Sequence, residues 1–224
     1  MANGNPKSVM TTATSMLPLT IPLFPLPNGV LFPNVCLPLH IFEPRYREMV
    51  SDALDGDRII GMVLLRPGWE ADYEGRPPIY PVGCAGLISH AERLADGRYN
   101  IVLRGLEKFR VRREDHERAY RIAEVETILE PTSEEDRGEI RAERRRLEAL
   151  LVPQPEGRGV DPKMPPSMPD ADLVNSLAQY LELEVVEKQA LLERDGLLAR
   201  CRSLIELLEM KVIVSRHDWG GGKH

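Results

Sequence analysis

Hydrophobic and polar positions follow a strand-like period up to about residue 130 and a helix-like period after it, and the switch divides the chain. In the first part, Leu19–Leu26 and Val35–Phe42 are short apolar runs punctuated by proline, with Pro27-Asn28-Gly29 between them as turn chemistry. Proline fixes φ and removes a donor, so both runs read as strands with proline at an end or on a sheet edge. Glu43-Pro44 opens a helix, because proline suits the first helical position, and Tyr46, Met49, Val50, Ala53 and Leu54 recur along it at helical spacing. Asp55-Gly56-Asp57 ends that helix, with glycine in the usual C-terminal place. Arg58–Leu65 reads as a buried strand, and Arg66–Pro78 as a loop rich in Gly and Pro. In the strand Tyr80–Leu94, Gly83 and Gly86 are expected at kinks or bulges. Asp96-Gly97 predicts a two-residue hairpin turn. Beyond it Tyr99, Ile101 and Leu103, then Phe109 and Val111, alternate with polar residues on either side of Gly105, so this strand is long and bent. The apolar phase of Tyr120–Ile128 slips between Ile122 and Ala123, which predicts a bulge there. Kinked strands with one early helix predict a small, closed or nearly closed barrel.

The second part is helical. Thr132 with Glu135 fits a capping box, and Ile140, Leu147, Leu150 and Leu151 follow at helical spacing. Residues 153–169 hold six prolines and two glycines and read as a loop. Helix resumes at Asp170, with Leu173, Val174, Leu177 and Leu181 on one face. A short helix covers Val185–Glu193 and Asp195-Gly196 breaks it. A final helix carries Leu197, Leu198, Cys201, Leu204, Ile205 and Leu208. That wide apolar face needs burial, some of it against Leu173, Leu177 and Leu181 and some against the β-rich part. The expected organisation is a disordered 1–17, a β-rich 18–130, a helical 131–214 and a loose tail 215–224, an α+β chain.

Composition narrows the function. The 224 residues are 42% hydrophobic and 29% charged, with a formal net charge of -6, which argues against a nucleic-acid binder. Cys36, Cys84 and Cys201 are far apart and odd in number, so they form neither a disulfide framework nor a metal knuckle, and a reducing compartment fits. The first residues lack a signal-peptide pattern and no apolar run is long enough to span a bilayer, so a soluble, cytoplasmic protein is expected. Cys84 and His90 lie six positions apart on one strand, about 20 Å, too far for a nucleophile and its base. His40 has no second ligand at metal spacing and reads as a strand-packed histidine. No catalytic residue, metal or cofactor is expected.

An ordered set of segments carries a family resemblance: Pro22–Leu26 (PLFPL), Leu31-Phe32-Pro33, Pro38–Arg47 (PLHIFEPRYR), Val82–Ile88 (VGCAGLI), Leu94–Gly97 with Gly105, Tyr120–Val125 and Lys188–Glu193 (KQALLE). With these the chain resembles the N-terminal, substrate-binding domain of Lon proteases in its standalone form, over about residues 18 to 212. The resemblance implies a β-rich, PUA-like pseudobarrel with one early helix, followed by helices, and a role in protein recognition. Lon proteases carry ATPase and Ser-Lys peptidase modules after this domain. Here the sequence ends at His224, and Gly222-Lys223 lacks the earlier glycine of a phosphate loop, so neither activity is expected.

Candidate peptide-binding residues are Leu31 and Phe32 in the Asn28–Asn34 turn, Glu43, Arg45 and Tyr46 at the first helix, and Trp69 and Tyr73 on the Gly/Pro loop. Each has a plainer reading: Phe32 plugs the barrel end, Glu43 stabilises a helix N-terminus, and the loop aromatics fold back as a lid. The basic Arg104–Arg113 stretch with Phe109 reads as the solvated face of a strand, or in an RNA-binding module as a phosphate track. The leading expectation is a non-catalytic protein- or peptide-binding module, an adaptor in protein quality control. Its expected partners are unfolded or extended polypeptide segments, beside a separate protease or chaperone, with no nucleic acid and no membrane. The alternatives are an RNA-binding module and a hydrolase with an unrecognised site.

Overall fold

The computed structural model describes residues 17–72, 75–115, 117–151 and 168–220. The expectations for the N-terminal segment, most of the 153–169 loop and the last residues lie outside the described residues, as does Tyr73.

Six strands form one sheet: β1 Thr20–Leu26, β2 Cys36–Ile41, β3 Ile59–Leu64, β4 Val82–Arg93, β5 Tyr99–Asp115 and β6 Arg121–Ile128. Their order is β2-β5-β4-β3-β1-β6, and β6 also pairs with β5. That extra pairing closes a ring of β1, β3, β4, β5 and β6, the expected barrel. β1 and β3 are parallel, and α1 Pro44–Asp55 lies on the crossover between them. β5 is long enough to serve two neighbours on one edge, β2 along Tyr99–Arg104 and β6 along Lys108–Asp115.

The barrel interior is small. Ile21, Leu23, Val63, Ala85, Phe109, Ala123 and Val125 fill it, one or two from each strand. Phe109 reaches the axis because Gly61 and Gly83 face it; a Cβ on either would stand 2.8 Å from its Cζ. The outer face of the sheet belongs to a second, larger core under the helices α2 Glu134–Leu151, α3 Asp170–Tyr180, α4 Val185–Leu192 and α5 Gly196–Gly220. Cys201, Leu204 and Ile205 of α5 join Leu31, Phe32, Val82 and Cys84 there. The helical part therefore docks on the barrel, as its apolar face requires.

Three local expectations are corrected. The Asp96-Gly97 hairpin is a three-residue loop: Leu94 N–H bonds Arg98 O at 2.8 Å, and Gly97 takes φ 82° at the bulge. The register slip expected in β6 lies in β5, between Val111 and Arg113, where an extra residue costs β6 no alternation. The first helix does end at Gly56, as expected, with φ -114°, while Arg58 takes the left-handed position at φ 61°. The capping box falls one residue later than Thr132/Glu135: Ser133 Oγ accepts from Asp136 N–H at 3.0 Å, and the Asp136 carboxylate accepts from Ser133 N–H at 3.2 Å.

Candidate functional site

β2 is the sheet's open edge among the described residues. Gly105 N–H donates to Val35 O at 2.8 Å, which fixes the alternation of the ladder. Leu37, Leu39 and Ile41 aim their backbone groups at β5; Cys36, Pro38 and His40 turn theirs outward. Proline is tolerated at such an outward position because its nitrogen owes no ladder bond. Tyr180 already donates its hydroxyl to Cys36 O at 2.7 Å. The remaining edge offers the His40 N–H and the carbonyls of Pro38 and His40.

The side chains alternate too. Leu37, Leu39 and Ile41 pack towards the helical core, while Cys36, Pro38, His40 and Phe42 are exposed. Phe42 is 61% exposed, and its ring lies 6.3 Å from the His40 ring, nearly parallel. Arg98 Nη1 lies 3.2 Å from His40 Nε2. A guanidinium only donates, so Nε2 accepts and Nδ1–H donates to Asn100 Oδ1 at 2.8 Å. Asn100 in turn donates to Glu92 at 3.0 Å, so a cross-strand network holds the His40 ring in place.

Past Phe42 the chain enters α1. The Arg45 guanidinium pairs with Glu43 at 3.0 Å and lies 4.7 Å above the Tyr46 ring. Arg45 and Tyr46 line a cavity of about 170 Å³ with Pro25, Arg76, Tyr120 and Arg121 among its other walls. Arg76 donates to the carbonyls of Asp115 and Arg118, both at 3.0 Å. Arg121 bonds Glu114 at 3.0 Å and Pro77 O at 2.6 Å. Tyr120 OH donates to Asp52 at 2.7 Å; burial, then the Asp52 carboxylate, pushes its pKa up to about 12.

The structure thus brings together Glu43, Arg45 and Tyr46 but sets Leu31 and Phe32 apart. Leu31 is 1% and Phe32 0% exposed, and both lie in the core beneath the helices, which replaces the expectation that they line an exposed groove. The reason is backbone chemistry: Gln179 and Asn175 of α3 bond the turn at Val30 O, Phe32 N–H and Pro33 O, which pulls it inward. Trp69 is half-buried on a short 3-10 turn, Trp69–Asp72, outside the cavity lining, and Tyr73 lies outside the described residues. His40 is exposed, not packed. Cys84 is fully buried, and burial raises its pKa, the state of an inert thiol.

Sequence reasoning missed three features. Phe42 was legible, since it continues the outward phase of Pro38 and His40. Arg121 shares the inward phase of Ala123 and Val125, which places it at the barrel mouth. Lys108 is 2% exposed and binds Glu130 at 2.5 Å, within a stretch that read as solvated. Arg112 and Arg113 of that stretch pair with Glu126 and Glu124, so it forms no continuous phosphate track. No cluster of metal-ligating residues occurs among the described residues, and none of their helices is long and apolar enough to cross a membrane.

Comparison with known proteins finds a family match. The profile described as the ATP-dependent protease La (LON) substrate-binding domain matches residues 20–210. The chain is 29% identical to Lon protease 2 of Myxococcus xanthus over 222 residues, 93% of this chain and 26% of that protein. It is 25% identical to the Lon protease of Escherichia coli over 203 residues, 87% of this chain and 25% of that protein. The chain spans about a quarter of the length of the curated relatives it matches. Among solved structures, a Lon N-terminal domain protein from Xanthomonas campestris aligns with a TM-score of 0.56 at 23% identity, covering 84% of this chain and 97% of that one. The N-terminal domain of a Mycobacterium avium complex Lon protease aligns at 0.57 and 17%, covering 85% and 98%. These two likenesses establish a shared fold.

Proposed function

The chain belongs to the Lon substrate-binding domain family, and from that premise we propose that it is a non-catalytic module that binds extended polypeptide along the open edge of β2. The observation that carries this reading is the edge itself. Outward backbone groups at Pro38 and His40 can pair with an added strand, and the exposed Phe42 supplies an apolar anchor beside them. Main-chain bonding is indifferent to sequence, which suits a module that meets many unfolded chains. Pro38 removes one donor and limits pairing with another sheet of the same kind. An adaptor in protein quality control, handing clients to a separate protease or chaperone in the cytoplasm, fits three free cysteines and an acidic chain. No ATPase or peptidase step is assigned to it.

The test is fluorescence anisotropy of labelled, reduced and carboxymethylated α-lactalbumin, a permanently unfolded chain, titrated with the protein. Phe42→Ala should weaken binding about tenfold, as loss of an aromatic anchor does, while the melting temperature stays close to wild type. Unchanged affinity in Phe42→Ala would remove the edge from the site.

A further inference from the structure

We propose that the Arg45–Arg76–Arg121 cavity is a subsite for a carboxylate carried by the bound polypeptide. The proposal rests on the polypeptide-binding reading above and specifies one feature of the client.

Three arginines, Arg45, Arg76 and Arg121, line one cavity, and among its described walls there is no Asp or Glu. Arg45 and Arg121 each have a carboxylate partner set back from it, Glu43 and Glu114. Arg76 has none among the described residues; its two bonds go to backbone carbonyls. Carbonyls orient a guanidinium without cancelling its charge, so among the described residues no carboxylate offsets Arg76. A guanidinium has five N–H donors in a planar fork that matches a carboxylate. Arg45 also sits on the first turn of α1, where the helix end adds a favourable field for an anion.

Size selects the ligand. About 170 Å³ is below the roughly 300–1,000 Å³ of a drug-sized or cofactor site. It admits a carboxylate-bearing side chain or a chain end. Position agrees: Phe42 ends the β2 edge, and Arg45 is the third residue beyond it. On this reading a strand laid along β2 continues past Phe42 towards Arg45.

The probe is a fluorescein-labelled strand-forming decapeptide, Ser-Val-Thr-Val-Glu-Val-Thr-Val-Ser-Lys, amidated at its C-terminus, with a twin in which glutamine replaces glutamate. The full chain has a net charge of -6, so its overall field opposes the glutamate form. The subsite predicts the reverse, about tenfold tighter binding of the glutamate peptide, the scale of a charge-assisted hydrogen bond. Arg76→Gln should bring that preference close to unity, and a thermal melt checks that the variant is folded. The preference in the wild-type chain needs no variant. Equal affinity for the twins would overturn the subsite and leave the edge reading standing. Binding of neither twin would sink the edge reading, and the subsite with it. Inorganic phosphate offers the same forks a rival anion, so a large excess should narrow the preference; a preference untouched by it would place the glutamate away from the arginines and overturn the subsite.

Discussion

Phe32 donates its backbone N–H to Gln179 Oε1 at 3.2 Å, across 147 residues of chain. The same amide donates through Nε2 to Val30 O at 2.9 Å. One helical side chain thereby satisfies two buried backbone groups of a turn that meets β5 only further on, at Asn34 and Val35. Gln179→Ala should cost about 1–3 kcal/mol, because both groups lose their partner without gaining water. Urea unfolding measures it: the midpoint falls and the slope stays the same. Unchanged stability would mean the turn holds itself in place.

Lys108, Glu130 and Arg200 join the barrel to the helices. Lys108 Nζ binds Glu130 and the carbonyls of Leu192 and Arg194 at the end of α4, and Arg200 bonds Glu130 at 2.6 and 2.9 Å. Removing the anion leaves two buried cations together, so Glu130→Ala should cost about 3–5 kcal/mol. Chemical denaturation checks the value.

The same carboxylate sets an acid dependence. Burial pushes the Glu130 carboxyl up, but Arg200 and Lys108 outweigh it and hold it below its ordinary 4.5. The folded chain therefore takes up this proton less readily than the unfolded chain. Its contribution is complete above pH 4.5 and is lost as pH falls through the lower folded value. Glu130→Gln should flatten the acid limb of a stability–pH profile; a limb identical to wild type would assign it to other carboxylates.

Phe109 fills the barrel because Gly61 and Gly83 make room. The three atoms nearest a Cβ on Gly61 would all be side-chain atoms: Ile21 Cδ1 and Phe109 Cζ at 2.8 Å and Leu23 Cδ2 at 2.9 Å. Gly61→Ala should cost about 1–3 kcal/mol by overpacking. Phe109→Leu should absorb part of that, so the double variant falls short of additivity by at least about 0.5 kcal/mol. Additive costs would show that the methyl is accommodated elsewhere.

Much of this fold was legible in the sequence. Gly105 interrupts β5 where a Cβ would come 2.0 Å from Phe32 O, so the glycine that broke the pattern marks the crossing of the 30–35 turn. Phe109 and Val111 kept the barrel phase, and the α5 leucines announced their docking. The long-range polar bonds were not legible. Nothing around Gln179 or Lys108 names a partner on the barrel or at α4, and a lysine among arginines looks solvated until the helices close over it. The site shared this limit. Arg45 and Tyr46 were marked by their place at a helix start, but Arg76 and Arg121 join them only through the closure of β6 on β5. The Leu31–Phe32 turn looked exposed because a proline-flanked turn usually is, and the α3 amides reverse that.

Pairing of extended polypeptide with the open edge of β2 is what the proposed function depends on. Amide hydrogen exchange resolved by NMR, with and without saturating reduced and carboxymethylated α-lactalbumin, reads that edge directly. On binding, the outward His40 N–H should become strongly protected, while Leu37, Leu39 and Ile41, already bonded to β5, should change little. Saturation of the protein with no added protection at His40, or with new protection confined to the α4–α5 surface, would contradict that pairing.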